Sequence, residues 1–445
     1  MCSFLITNRG VFEVERVNQS LQPRGPDFTN LIVADNFRIL HNLLSITSPM
    51  TPQPYYKNGV FVVFNGEIYN KRSSLELSDV ATIYDIYSFY GEDFAAHLDG
   101  EYAITILDFN KGILCVSSDT FGTKPLYTSV EPNGLVSIAT YSDALQLLGC
   151  CNIQKFKPNT TQILDLRSGA FLRSFRNITF CLRQFQNSFE PWAEAFDRSL
   201  DKRTRSSQEK GVFIGLSSGY DSGAIAAWLL GSGTSFSSFT HLGREDQKIL
   251  RDRKKLMSAC KNIDINFYRT NFYQRARAQK EIASNVPVFN YTIYSSTSDY
   301  NEFDLDLSSD NGAIQFYLLC EKAAAKSLRI SLSGIGPDEI FSDYGFQGKK
   351  LYPHSNFGGI FPDNLEDIFP WPSFFGSTLE SYIAKEEHIA GYFGIENRYP
   401  FLDVQVVQEF LNLLPSLKNS HYKAPLHFYL SKKNFPFKEG SKIGF

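Results

Sequence analysis

The sequence predicts two domains of different build. Residues 1–180 read as a layered α+β domain rich in antiparallel strands, and residues 190–445 as an α/β domain with a parallel sheet. Three observations predict this. At 445 residues the chain exceeds what one ordinary core organises. Its first part repeats short apolar runs that end in turn residues. After a polar, mixed stretch from Asn177 to Phe189, apolar strands run into small-residue loops and then helices.

In the first part, Val60-Phe61-Val62-Val63-Phe64 precedes Asn65-Gly66, and Tyr102-Ala103-Ile104-Thr105-Ile106-Leu107 precedes Asp108. Both are strand patterns. Between them, Ile83, Ile86, Tyr87, Tyr90 and Phe94 recur near helical spacing, which predicts a helix from Ala81 to His97. In the second part, Gly211-Val212-Phe213-Ile214-Gly215-Leu216 is a short apolar strand. Ser217-Ser218-Gly219-Tyr220-Asp221-Ser222-Gly223 is a loop of small residues, and Ala224 to Leu230 starts an apolar helix. Strand, small-residue loop and helix in that order mark an α/β nucleotide-binding unit. A second such unit runs from Ile330 through Ser333-Gly334-Ile335-Gly336-Pro337-Asp338-Glu339.

Composition excludes several classes. Hydrophobic residues make up 43% and charged residues 20%, a globular balance. A formal net charge of -3 offers no basic surface for nucleic acid or a membrane. No apolar run is long enough to span a bilayer, and no basic-then-apolar leader opens the chain, so the cytoplasm is the expected location. The 7 cysteines (Cys2, Cys115, Cys150, Cys151, Cys181, Cys260 and Cys320) are odd in number and lack a CxxC pair, which speaks against a disulfide framework or a zinc site.

Cys2 follows Met1 directly. Removal of Met1, usual before a small residue, leaves one residue with both a thiol nucleophile and a free α-amine as its base. Five blocks follow in order: Gln22-Pro23-Arg24-Gly25-Pro26-Asp27, Phe64-Asn65-Gly66-Glu67-Ile68-Tyr69-Asn70, Ser78-Asp79, Leu98-Asp99-Gly100-Glu101-Tyr102-Ala103 and Ser118-Asp119-Thr120-Phe121-Gly122-Thr123-Lys124-Pro125-Leu126-Tyr127. Alone, Asn65-Gly66 reads as a hairpin turn and Arg24 as a surface charge.

Together with Cys2, the blocks resemble the glutaminase domain of asparagine synthetases and related class II glutamine amidotransferases. The resemblance implies an αββα N-terminal-nucleophile (Ntn) hydrolase sandwich. It makes Cys2 the nucleophile, with the Asn65 amide and the Gly66 N–H as donors to the oxyanion. It implies that Arg24 grips the α-carboxylate of glutamine and that Glu67 and Asp79 accept from its ammonium. Two positions depart from the family: Ser3 stands where glycine is common, and Leu43, in His41-Asn42-Leu43-Leu44-Ser45-Ile46, replaces an arginine.

The second half resembles the N-type ATP pyrophosphatase domain of the same synthetases. The resemblance assigns Leu216, Ser217, Ser218, Gly219, Asp221, Ser222, Ser333 and Gly334 to ATP, and Asp221 and Asp338 to Mg²⁺. Glu396-Asn397-Arg398-Tyr399-Pro400-Phe401-Leu402-Asp403 and Lys442-Ile443-Gly444-Phe445 resemble two further blocks, the second of which implies a catalytic role for Lys442 as pyrophosphate leaves. Without the family, Asp338-Glu339 reads as an acidic helix start and Lys442 as a tail lysine.

The departures cluster on the acceptor side. Ile335 stands where the synthetases carry glutamate, with Glu387 or Glu396 as candidate replacements. Ser218 replaces a loop glycine, Ile340-Phe341-Ser342-Asp343-Tyr344-Gly345 differs from the usual Phe-Gly-Gly-Tyr, and His427 stands for arginine. Relatives commonly continue past the position of Phe445. The expected activity is therefore a glutamine-dependent, ATP-to-AMP amidotransferase acting on a small-molecule carboxylate other than aspartate. Asparagine synthetase itself is the alternative. An amide-forming cyclase and a non-catalytic relative are further readings. A homodimer is implied by resemblance only.

Overall fold

The computed structural model describes residues 1–445 except 11, 48–49, 71–77, 206–207, 244, 288, 295–301 and 441–445. The chain forms two compact units. The first joins Met1–Thr179 to two later segments, Ala283–Phe289 and Glu387–Glu396, and the second takes the remainder.

The first unit is built on two six-stranded antiparallel sheets. One runs in the order Ile153–Lys155, Tyr127–Val130, Val136–Ala139, Ser3–Thr7, Phe37–Leu43, Phe28–Ala34. The other runs Phe171–Arg176, Thr160–Asp165, Ile113–Ser118, Gly100–Asp108, Val60–Ile68, Tyr55–Lys57. Phe4, Ile6 and Ile39 from the first sheet share a core with Val63, Leu107 and Leu114 from the second. The second sheet's other face packs Val62, Phe64 and Ile104 on Val80, Ile83 and Tyr87 of the helix Asp79–Tyr90. The first sheet's other face sets Leu5 and Leu40 against Ala144 and Leu145 of the helix Ser142–Leu147. The layers are thus helix, sheet, sheet, helix. Burial on both faces explains why the inner strands read as continuous apolar runs and not as strict alternation.

The helix expected from Ala81 to His97 is Asp79–Tyr90 followed by tighter 3₁₀ turns at Gly91–His97. Gly91, at φ 62°, breaks the α-helix there. Asn65-Gly66 is not a turn. It lies inside the strand Val60–Ile68, with Asn65 opposite Ala103 and Gly66 opposite Tyr102. Gly66 has φ 141°, and a Cβ on it would fall 1.9 Å from the Glu101 carbonyl oxygen, so only glycine fits.

His41, on the strand Phe37–Leu43, is buried, with Nε2 3.3 Å from the Phe64 carbonyl. Burial pushes its pKa down to about 4. In the unfolded chain an imidazole titrates near 6.5, so the unfolded state takes up the proton first as pH falls. His41 therefore contributes stability above about pH 6.5 that is lost progressively down to about pH 4, on the order of 3 kcal/mol in all. Urea melts between pH 7 and 4.5 will show a shallower acid slope for His41→Gln than for the parent. Identical slopes would dissociate His41 from the acid sensitivity.

The second unit holds four strands of a sheet in the order Ile263–Tyr268, Phe236–His241, Val212–Gly215, Ile330–Leu332, and with Asn397 and Arg398 most of a fifth, Glu396–Arg398. The first four strands are mutually parallel. Chain order reverses between Val212–Gly215 and Ile330–Leu332. In such sheets a ligand crevice opens beyond the carboxyl ends of the two strands at that reversal. The first of these strands leads through residues 216–219 into the helix Tyr220–Ser232, which stops where Gly233 turns left-handed. The second leads into a single helical turn, Pro337–Phe341. Among the described residues no helix is long and apolar enough to cross a membrane.

Candidate active sites

In the first unit Cys2 immediately precedes the strand Ser3–Thr7 and is 5% exposed. It lines a cavity of about 50 Å³ together with Leu43, Gly66, Glu67, Asp79 and Glu396. The Cys2 backbone N–H donates to Asn65 Oδ1 at 2.9 Å. Asn65 is fully buried, and its Nδ2 has no acceptor among the described residues. A buried donor without a partner costs about 1–3 kcal/mol. Strand pairing on Val60–Ile68 holds it there, between the cavity-lining residues Phe64 and Gly66.

Glu67 Oε2 accepts from Thr47 Oγ1 at 2.9 Å, and Asp79 Oδ2 from the Ile68 N–H at 3.3 Å. Both carboxylates face the cavity, and among its described lining residues there is no Lys or Arg. Burial pushes the Cys2 thiol up, against the pull of the N-terminal ammonium. Met1 is itself buried, and its ammonium lies 3.0 Å from a Glu396 carboxylate oxygen. Ser3 is accommodated without loss, because its hydroxyl donates to Leu21 O at 2.7 Å and accepts from Asn42 Nδ2 at 3.0 Å.

Arg24 lies behind Cys2. It is fully buried and does not line the cavity. Its Nε donates to Cys2 O at 3.0 Å, Nη1 to Tyr141 OH at 2.9 Å and Glu387 O at 2.8 Å, and Nη2 to Met1 Sδ at 2.9 Å and to the Glu387 carboxylate. Lys124 Nζ reaches the same carboxylate at 3.1 Å and Glu101 at 3.5 Å. Buried ions must be compensated where they sit, and with Met1 in place this cluster compensates Arg24 internally. The two glutamates considered as replacements at position 335 are accounted for here. Glu387 holds Arg24 and Lys124, and Glu396 lines the Cys2 cavity.

In the second unit, the two loops at the sheet's reversal meet. A Cβ on Gly334 would lie 3.3 Å from Asp221 Cβ. Asp221, in the first turn of Tyr220–Ser232, and Asp338, in the turn Pro337–Phe341, converge on one cation, the Lys423 ammonium. The distances are 2.8 Å to Asp221 and 2.9 Å to Asp338. Tyr422 OH donates to Asp338 Oδ1 at 2.9 Å. Burial raises the Asp221 pKa and Asp338 adds to it, with Lys423 opposing. Burial disfavours the Lys423 ammonium, yet the two carboxylates hold its pKa well above the usual lysine value. Two carboxylates that close on one point suit a divalent cation that completes its shell with phosphate and water oxygens.

The phosphate-loop residues are ordered by one another. Ser217 N–H donates to Ser222 Oγ at 3.1 Å, and Gly219 N–H to Ser217 Oγ at 3.1 Å. Leu216 is tied into the sheet by its N–H to Phe239 O at 2.8 Å, and Ser333 by its N–H to Arg398 O at 2.8 Å. Arg253, buried, donates to Ser217 O at 2.5 Å and Gly219 O at 2.9 Å, fixing the loop from behind. Ser218 N–H donates to Glu245 Oε2 at 2.5 Å. Lys423, Tyr422, Arg253 and Glu245 were not singled out from sequence, since nothing local marks them. Lys442 lies outside the described residues.

Each part of the chain matches a known domain family. Residues 1–163 match the glutamine amidotransferase domain model and residues 192–367 the asparagine synthase model. A putative glutamine-hydrolysing asparagine synthetase 1 of Methanocaldococcus jannaschii is 26% identical over 406 residues, covering 85% of this chain and 69% of that protein. The glutamine-hydrolysing asparagine synthetase of Sandersonia aurantiaca is 26% identical over 430 residues, covering 91% of this chain and 75% of that protein. Among solved structures, glutamine phosphoribosylpyrophosphate amidotransferase from B. subtilis, complexed with ADP and GMP, gives a TM-score of 0.33 at 15% identity over 48% of this chain and 60% of that one, a slight likeness.

Proposed function

We propose that this chain, which belongs to the glutamine-hydrolysing asparagine synthetase family, takes nitrogen from glutamine at Cys2 and uses ATP, cleaved to AMP, to amidate a small carboxylic acid. The observation that carries the first half is Asn65, whose amide accepts from the Cys2 backbone N–H through Oδ1 while its buried Nδ2 has no acceptor among the described residues.

Once Met1 is removed, the Cys2 α-amine takes the thiol proton and Sγ attacks the side-chain carbonyl of glutamine. Asn65 Nδ2 and the Gly66 N–H donate to the oxygen as it gains charge. The amine returns the proton to the departing ammonia, and water then cleaves the glutamyl thioester to glutamate. Glu67 and Asp79 accept from the substrate ammonium. Arg24, whose Nη2 loses its Met1 Sδ contact when Met1 leaves, would grip the substrate α-carboxylate. The unit is read as an Ntn hydrolase.

In the second unit, Asp221 and Asp338 would hold Mg²⁺, whose charge stabilises the polyphosphate as pyrophosphate leaves. The loop 216–219 and Ser222, with Ser333 and Gly334, would bind the nucleotide. An acceptor carboxylate oxygen displaces pyrophosphate at the α-phosphorus, and ammonia then displaces AMP at the acyl carbon. Lys423 is positioned to neutralise the same carboxylates before and after.

The acceptor is read as a carboxylate other than aspartate because Ile335 cannot exchange a proton. The names of the relatives favour aspartate as the second reading. The test is pyrophosphate release from Met1-processed protein with ATP, Mg²⁺ and glutamine, with and without aspartate. The expected outcome is glutamate formation that Cys2→Ala abolishes, with ammonia-supported activity retained in that variant. Aspartate-dependent pyrophosphate with asparagine as product would establish the second reading. Processed protein that makes no glutamate from glutamine would overturn the proposal.

A further inference from the structure

The nucleotide loop of the second unit already carries an anion of its own. Ser218 is 1% exposed, and both of its donors go to one oxygen, Glu245 Oε2: the backbone N–H at 2.5 Å and the hydroxyl alongside it. The arrangement is anchored from the next residue. Asp246 N–H donates to Ser218 Oγ at 3.0 Å, while the Asp246 side chain caps the helix Gln247–Met257 by accepting from Lys248 and Ile249. Glu245 is therefore held at the loop by a fixed cap. A negatively charged oxygen occupies donors that a loop of this kind offers to phosphate. On the other side of Asp221, the Lys423 ammonium stands where two carboxylates would take a divalent cation.

We propose that Glu245 is an affinity-setting residue that competes with the polyphosphate for the Ser218 donors, weakening the hold on pyrophosphate and so speeding its departure. This rests on the nucleotide reading of the site given above. The polyphosphate and the carboxylate are like-charged and seek the same hydrogen bonds, so one must yield when the other binds. When pyrophosphate leaves, Glu245 regains Ser218 and opposes rebinding. Serine at position 218 strengthens this competition, because its hydroxyl gives Glu245 a second donor that glycine would lack.

The experiment is calorimetric titration of the full chain with pyrophosphate and Mg²⁺, comparing the parent with Glu245→Gln, Ser218→Gly and Asp221→Asn. Glu245→Gln is expected to bind about tenfold more tightly, about 1.4 kcal/mol. Ser218→Gly, which leaves the carboxylate in place but removes one donor, is expected to shift the same way by less. Asp221→Asn is expected to lose binding. Were Glu245 only a brace for the loop, its substitution would weaken binding and lower Tm together. Unchanged or weaker binding in Glu245→Gln, with binding still lost in Asp221→Asn, would overturn the role of Glu245 and leave the nucleotide site standing. Absence of binding in every protein would overturn both. Tightening that persists in the Glu245→Gln, Asp221→Asn double variant would put pyrophosphate elsewhere and overturn this inference as well.

Discussion

Asn65→Ala is expected to lower kcat for glutamine hydrolysis by about 10²–10³-fold while changing KM little. The substrate carbonyl in its ground state needs few donors, whereas the tetrahedral oxygen carries a full charge. A donor fixed beforehand by strand pairing stabilises the second far more than the first. Asn65 also holds the Cys2 backbone at 2.9 Å, so alanine loosens the nucleophile as well. Asn65→Asp separates the two roles. It keeps an acceptor for the Cys2 N–H and removes the open donor, and it places a negative charge where one must develop. It should therefore be at least as inactive as alanine. Steady-state glutamate formation by Met1-processed protein measures both. A fall confined to KM would assign Asn65 to substrate binding alone.

Lys423→Met is expected to destabilise the second unit by about 1.5–3 kcal/mol, because it leaves two half-buried carboxylates facing each other with their shared cation gone. Mg²⁺ should restore much of that loss by taking the vacated position, whereas it should stabilise the parent much less, since there it must first displace the ammonium. Thermal melts with and without millimolar Mg²⁺ measure the difference. Equal Mg²⁺ responses in the two proteins would show that Mg²⁺ does not take the position of the Lys423 ammonium. Lys423 sits in a left-handed conformation, φ 48°, at the start of the helix Ala424–Lys432, a strained setting for a lysine that its ion pairs offset.

What the sequence made legible was local. Strand, small-residue loop and helix lie within about 20 residues of each other, so the unit around Ser217–Ser222 could be read before any coordinates. What the sequence did not show is the ion pair of Arg24 with Glu387, 363 positions away. The same distance hid Lys423, 202 positions from Asp221, and Glu245, whose proximity to Ser218 depends on the parallel pairing of Val212–Gly215 with Phe236–His241. The double reading of Asn65-Gly66 was resolved by the partner strand, which alone fixes the glycine's φ.

The return of residues 387–396 to the first unit has a consequence for biosynthesis. A ribosome releases Arg24, Lys124 and the two sheets well before it reaches Glu387, about 200 residues later. At 5–20 residues per second that is a delay of roughly 10–40 s. Through that interval the nascent domain holds two cations bound for its interior with no Glu387 to meet them. The first half to be made is thus among the last to be finished, and a gene fragment ending near residue 180 would encode a permanently incomplete glutaminase domain.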